Sequence, residues 1–388
     1  MHFVPGHSAA AASDFRVFYS AALVLLHGGS PYHQPALVAV EQHVRRSAFK
    51  PAPGANYAYL PLVAWLLIPL TLLPFWGAWG CFTMLGVAVT WWSVWALSKR
   101  LGWVRPWLVA TSVELVWITL WGFLLGQFDA VLLGALTAAI LARWRGSSVL
   151  AGAVLSAAWI KPQLLLPAVP IIALSFWPAR DHLARCVLAF LGATAALLAL
   201  ETWACPGLLL SWWRYLHAFS ASVPAAQGHG LAGLIGLTSD LPQSWGISDA
   251  PTGALSVAVA SIGALTAMVV AVHLARERAC GHRRDRPAIL AAIGFPLGIW
   301  LLAGPYSHLN DLLLLFPLVL LVVGVDARNL KGPLAWSAVL ALVLVPFVEA
   351  ALSFRFNLLP LVVLMVLLAA ALTPDGIRLG YSPVRPSA

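Results

Sequence analysis

Residues 147–177 read SSVLAGAVLSAAWIKPQLLLPAVPIIALSFW, a small and apolar stretch whose only charge, Lys161, stands at the middle beside Pro162. Arg143 and Arg145 precede it and Arg180 follows. A stretch with basic ends and one central turn reads as a hairpin that enters an apolar medium and returns. Split in two, it supplies about 23 Å per leg at 1.5 Å per residue, less than the roughly 30 Å of a bilayer core. Lys161 is therefore expected in the outer leaflet, recessed from water. A cation there is costly unless it snorkels or is paired, so it reads as functional.

The rest of the chain has the same character. Of 388 residues 61% are hydrophobic and 10% charged, and the mean hydropathy is +0.86. A soluble domain is about 45–50% apolar and about 25% charged, so the composition excludes one. The expected fold class is all-α, a polytopic integral membrane protein, because an open strand edge in lipid leaves backbone groups unpaired. Apolar runs lie near 57–75, 77–98, 106–125, 130–142, 148–160, 162–177, 186–203, 254–275, 288–303, 311–325, 333–350 and 357–372. They suggest about 11 to 12 transmembrane helices, several of them short. The net charge of +9 comes from basic clusters between the runs, which is orientation coding rather than a nucleic-acid surface. Clusters at 99–105, 143–145, 180–185, 276–286, 328–331 and 378–385 predict cytoplasmic loops. The four cysteines are scattered, with no CxxC, and suggest neither metal site nor disulfide framework. Residues 1–13 are small and polar and carry no expected cleavable signal peptide.

Halfway between successive basic loops the chain must turn on the other side, and there it is polar. The tips are GQFDA with Gln127 and Asp129, the Lys161–Pro162 turn, and PYSHLND with Tyr306, His308, Asn310 and Asp311. Three hairpins are thus expected to bring polar groups to one face. The longest hydrophilic loop, about 204–252, falls on that face too and holds Trp212, Trp213, Tyr215 and Gln227. Its aromatic residues fit interfacial anchors or sugar-stacking platforms. Asp129 and Asp311 open apolar helices, where a helix cap competes with a functional reading. Neither has clustered companions in sequence, so no metal site is expected.

Near the N-terminus, Phe15, Phe18, Ala22 and Leu25 recur at helical spacing and stop at Gly28–Gly29, which predicts a short amphipathic helix lying on the membrane. Ser13 and Asp14 begin it. They read either as an N-cap or, for Asp14, as a carboxylate base at the membrane surface. Counting Lys and Arg alone favours a cytoplasmic N-terminus with 57–75 as a span.

Six segments in order resemble the polyprenyl-phosphate-dependent glycosyltransferases of the GT-C fold, most closely glycosyltransferase family 87. They are SDFRVFYSAALVLLHGGSPYH (13–33), YAYLPLVAWLLIPLTLLP (57–74), GQFDAVLLGAL (126–136), AGAVLSAAWIKPQLLL (151–166), AQGHGLAGL (226–234) and PYSHLNDLLLLFPLVLL (305–321). The resemblance implies a GT-C-type bundle in which 1–76 form a first extracytoplasmic loop with amphipathic and juxtamembrane helices. Residues 77–373 would be the membrane bundle and 374–388 a cytoplasmic tail. It makes Asp14 the base that deprotonates the acceptor hydroxyl, and 57–75 a juxtamembrane helix rather than a span. AQGHGLAGL keeps only Gln227 and a Leu-x-Gly-like turn of the family pattern.

On that basis the leaving phosphate needs fixed electrostatic partners, for which Lys161, His308 and Arg16 are candidates. Gln127, Asp129, Tyr306, Asn310 and Gln227 are candidates for sugar and acceptor. The implied partners are a polyprenyl-phosphate sugar donor, mannose- or arabinofuranose-like, a glycolipid or glycan acceptor, and membrane lipids. No cofactor is expected beyond the lipid-linked donor, and the chemistry is expected to be metal-independent. The location implied is a bacterial plasma membrane with the site on its extracytoplasmic side. A multi-span transporter or flippase of lipid-linked sugars is the alternative; it calls for internal repeats, and none is evident.

Overall fold

The computed structural model describes residues 12–45, 57–177, 179–222, 252–280, 286–304, 308–326 and 359–372, with scattered positions between 337 and 348. Tyr306, Gln227, most of the 204–252 loop and the 374–388 tail lie outside the described residues.

Among the described residues the regular elements are all helical. Two helices, α1 (Ser13–Leu26) and α2 (Gln34–Arg45), come first. Then α3 (Pro61–Leu67) runs on into a 3-10 turn, Ile68–Leu72. Prolines 61, 69 and 74 keep the 57–75 run from becoming one long helix. What remains is an apolar helix of Pro61–Leu72, too short to cross a bilayer core, and it packs on α1.

The bundle begins with α4 (Phe75–Arg100). Helices α5 (Pro106–Glu114) and α6 (Trp117–Leu125) meet at a 56° bend, and α7 (Asp129–Trp144) returns. The hairpin around Lys161 is α8 (Ser148–Val154) ending in a 3-10 turn at Leu155–Ile160, then α9 (Pro162–Leu165) and α10 (Ala168–Leu174). After it come α11 (Arg180–Ala204), α12 (Leu208–Ser222), α13 (Thr252–Cys280) and α14 (Arg286–Ala303). A 3-10 turn, Leu309–Leu315, leads into α15 (Phe316–Asp326), and α16 is Leu359–Leu372.

Four of these helices are long and apolar enough to cross a membrane, and five if the bent α5–α6 pair is one span. Among the described residues, proline and 3-10 breaks divide several other apolar runs into shorter helices, Pro61–Leu72, Ser148–Ile160, Pro162–Leu174 and Leu309–Leu321. Only 17% of the apolar window of α11 is buried within the protein. A helix that apolar with so little of itself packed needs lipid as its solvent.

The basic ends of the helices gather together. The Arg286 guanidinium donates to the Arg100 carbonyl at 3.1 Å. Arg143 donates to the Ser175 carbonyl through Nε and Nη2 at 2.9 and 2.6 Å and lies 4.5 Å from the Phe176 ring centre. Ser148 Oγ is 3.3 Å from His182 Nδ1. The polar turns 126–128, 161 and 308–311 are at the other ends of the same helices.

α1 is enclosed on more sides than a single apolar face predicts: Phe15, Phe18, Tyr19, Ala21, Ala22 and Val24 join an aromatic core with Tyr57, Phe75, Phe82 and Phe128. Its polar side is covered as well. Arg16 and Ser20 are buried, and the Arg16 guanidinium lies 3.7 Å from the buried carboxylate of Glu41 on α2. Spacing of the apolar residues could not reveal this, since a second helix covers the opposite face.

The candidate active site

The site is assembled from the tips of three hairpins and the start of α1. α6 stops at Gly126, whose backbone is left-handed (φ +77°). The Gly126 N–H returns to the Gly122 and Phe123 carbonyls, and the Gln127 N–H also to Gly122. This turn aims Gln127 at α1, where its amide donates to Asp14 Oδ2. The Ser13 hydroxyl donates to Asp14 Oδ1 at 3.1 Å. Asp14 therefore does not cap α1. That position belongs to Ala12, left-handed at φ 58°, whose N–H donates to the Leu124 carbonyl at 2.7 Å and ties α1 to the end of α6. A left-handed alanine costs about 1 kcal/mol or more, and such strain concentrates at functional sites.

Gly126 leaves no room for a side chain, because an added Cβ would lie 2.5 Å from Phe15 Cβ. With its positive φ as well, Gly126→Ala is expected to lower stability by about 2 kcal/mol, read by thermal unfolding in detergent. It is also expected to pull Gln127 away from Asp14, so activity per folded molecule falls too.

Lys161 breaks the helical path at φ −136°, ψ 80°, with Pro162 starting the next turn of helix. The residue is 3% exposed, and its ammonium donates to Asp129 Oδ1 at 2.7 Å and Asp311 Oδ1 at 2.9 Å. Asn310 donates to Asp129 Oδ2 at 2.6 Å and to Asp311 Oδ1 at 3.3 Å. The last carboxylate oxygen, Asp311 Oδ2, accepts the His308 backbone N–H at 2.6 Å. Every oxygen of both acids is satisfied and the cluster is closed. Its formal charge is −1. The two aspartates that looked isolated in sequence are thus joined through one lysine. The cluster rests on Gly122, where a Cβ would come within 3.5 Å of Asn310 Cβ.

Asp14 sits at the edge of this arrangement, half-buried. Burial raises its pKa above the ordinary carboxylate value, against the hydrogen bonds from Gln127 and Ser13 and the charges of Lys161 and His308, which lower it. His308 is exposed. Desolvation at the rim and, next, the Lys161 ammonium push its pKa down, so the imidazole is neutral at pH 7.

The structure brings Asp14 to Gln127, and Lys161 to Asp129, Asn310 and Asp311; His308 is at the rim. It leaves Arg16 with Glu41, on the other side of α1. Among the described residues no group of three or more His, Cys, Asp or Glu could hold a metal ion. Of the aromatic residues after α11, Trp212 donates to the Ala58 carbonyl at 3.1 Å and Tyr215 accepts from Gln34 at 3.1 Å, whereas Trp213 is exposed.

A model of glycosyltransferase family 87 matches residues 57–305, well over half of the chain. The chain belongs to glycosyltransferase family 87. The family 87 match spans Gln127, Asp129 and Lys161 but neither Asp14 nor the 308–311 turn. With its apolar helices, membership makes the protein a membrane glycosyltransferase. No curated protein and no solved structure shows a match.

As a family 87 glycosyltransferase it contains one residue of interest that was quoted in the 57–74 segment without a role of its own. Tyr59 packs edge-on against Phe18 at 4.8 Å, and its ring centre is 6.1 Å from that of Phe128. One of two tyrosines in YAYL gives no signal distinguishing it from an interfacial anchor.

Proposed function

We propose that the enzyme moves a sugar, mannose- or arabinofuranose-like, from a polyprenyl-phosphate donor to a hydroxyl of a glycolipid or glycan. The transfer takes place on the extracytoplasmic face of a bacterial plasma membrane. The observation that carries this reading is the state of Asp14: one carboxylate made less acidic than usual, its orientation held by Gln127 and Ser13, beside a closed charged cluster. A base of raised pKa is what acceptor activation at neutral pH requires.

In the proposed step an Asp14 oxygen takes the acceptor proton as the acceptor oxygen bonds to the anomeric carbon. The bond from that carbon to the phosphate oxygen breaks on the opposite face, its electron pair leaves with the polyprenyl phosphate, and the anomeric centre inverts. His308 offers a neutral N–H to the phosphate at the rim, whereas Lys161, held between Asp129 and Asp311, orders the site rather than meeting the phosphate. Arg16 is left in its pair with Glu41. Asp129 and Asn310 serve the sugar through the ordering of the cluster, and Gln127 serves the base. The lysine ammonium occupies the place between Asp129 and Asp311 where a bridging cation would have to lie, which supports chemistry without a metal. The extracytoplasmic placement is supported by the separation of the polar turns from the basic helix ends.

The test is mass spectrometry of total lipids and envelope glycans from a host lacking the gene, with and without the wild-type copy. Restoration of a species heavier by a sugar unit is expected, its mass giving the sugar class. If no glycan changes while lipid-linked sugars redistribute across the membrane, the protein is a flippase and the reading is wrong.

A further inference from the structure

The 57–60 segment is held from both sides. The Tyr32 hydroxyl donates to the Tyr59 carbonyl at 2.8 Å, the Trp212 indole to the Ala58 carbonyl at 3.1 Å, and the Tyr57 hydroxyl to the Leu60 carbonyl at 2.8 Å. Ring contacts fix the Tyr59 side chain: Phe18 at 87°, Tyr57 at 5.9 Å and Phe128 at 6.1 Å. Phe18 lies one helical turn after Asp14, on the same side of α1, and Phe128 lies between Gln127 and Asp129. Tyr59 is therefore wedged between the helix that presents the base and the turn that presents the charged cluster.

The contacts with Phe18, Tyr57 and Phe128 hold the Tyr59 ring in place. Its hydroxyl is different: it makes no hydrogen bond to any described residue. A phenol placed this firmly, with its hydroxyl unused by the protein, is a donor available to a bound group. The charges around it decide which acceptor. Asp14, Asp129, Asp311 and Lys161 all act on Tyr59, three carboxylates against one ammonium. That field repels a phosphate and favours a neutral, hydroxyl-rich group. Burial, the leading effect, raises the phenol's pKa, so it stays protonated and donates.

We propose that the Tyr59 hydroxyl binds a hydroxyl or ring oxygen of the transferred sugar, holding it between Asp14 and the Lys161 cluster. This rests on the sugar-transfer reading above and assigns a sugar-positioning residue within it.

The test uses membranes from the deletion host carrying wild type, Asp14→Asn, Tyr59→Phe or Tyr59→Leu at matched levels. The host's own total lipid extract serves as donor source, and product is quantified by mass. Tyr59→Phe keeps the ring and its packing. It is expected to slow product formation about tenfold, the loss of one substrate hydrogen bond, with an unchanged unfolding temperature. Tyr59→Leu is expected to lose activity and stability together. A Tyr59→Phe rate within twofold of wild type overturns the inference while the transfer reading stands. A lowered unfolding temperature for Tyr59→Phe also overturns it, by making the hydroxyl structural. If wild type forms no more product than Asp14→Asn, the assignment of the base falls, and the inference falls with it.

Discussion

Asp14→Asn is expected to lower turnover by about 10²- to 10⁴-fold, the range for losing a positioned general base, while leaving the protein folded. The side chains are nearly isosteric, and the substituted carboxamide can still face Gln127 once one of the two amides turns over. The charge removed is one that burial disfavours. Rates in membranes, set beside unfolding curves of the same preparations, test both halves. The pH profile adds a sign. Because the Asp14 pKa is raised, the base is protonated at a higher pH than an ordinary carboxylate, and activity is expected to fall away correspondingly early on acidification. Gln127→Leu removes a hydrogen bond that lowers this pKa, so its acidic limb is expected to move to still higher pH. A limb that stays in place would mean that Gln127 does not act on the base.

The second large effect concerns folding. Lys161→Met leaves Asp129 and Asp311, both almost fully buried, with no countercharge. Removing one partner of such a cluster costs about 3–5 kcal/mol, enough to unfold a marginal protein, so little folded material is expected in detergent. The triple variant Lys161→Met with Asp129→Asn and Asp311→Asn takes away all three charges and is expected to recover most of the stability. It is not expected to recover activity, since the charged cluster that orders Asn310 and the 308–311 turn is gone. An active triple variant would reduce Lys161 to a structural tie.

The site was legible in sequence where polarity contradicted its surroundings. Lys161 alone in an apolar hairpin, Gln127 and Asp129 in one turn and Asn310 in another all stand out against so little charge. What could not be read was their pairing, because residues 150 positions apart carry no mark of contact. The same limit hid α2, which turned an apparently surface-lying α1 into a buried one through Glu41. Helix ends are hidden in the sequence for a local reason: prolines and the bend before Trp117 interrupt runs that are continuous in hydropathy. Tyr59 escaped notice because aromatic residues at a membrane surface need no special explanation.

The order in which Lys161 acquires its partners bears on how the protein enters the membrane. Asp129 precedes it by 32 residues, and Asp311 follows by 150. The α7–α8 hairpin can therefore partition into lipid with its ammonium already neutralised by a neighbour. At a ribosomal rate of about 5–20 residues per second, the second acid arrives on the order of 10 s later. It brings a negative charge that must leave water against the membrane's preference, drawn in by a second hydrogen bond from the ammonium and by Asn310 beside it. Closure of the site is in this sense the last event of biogenesis, and a nascent chain released before residue 311 holds the first ion pair but no finished site.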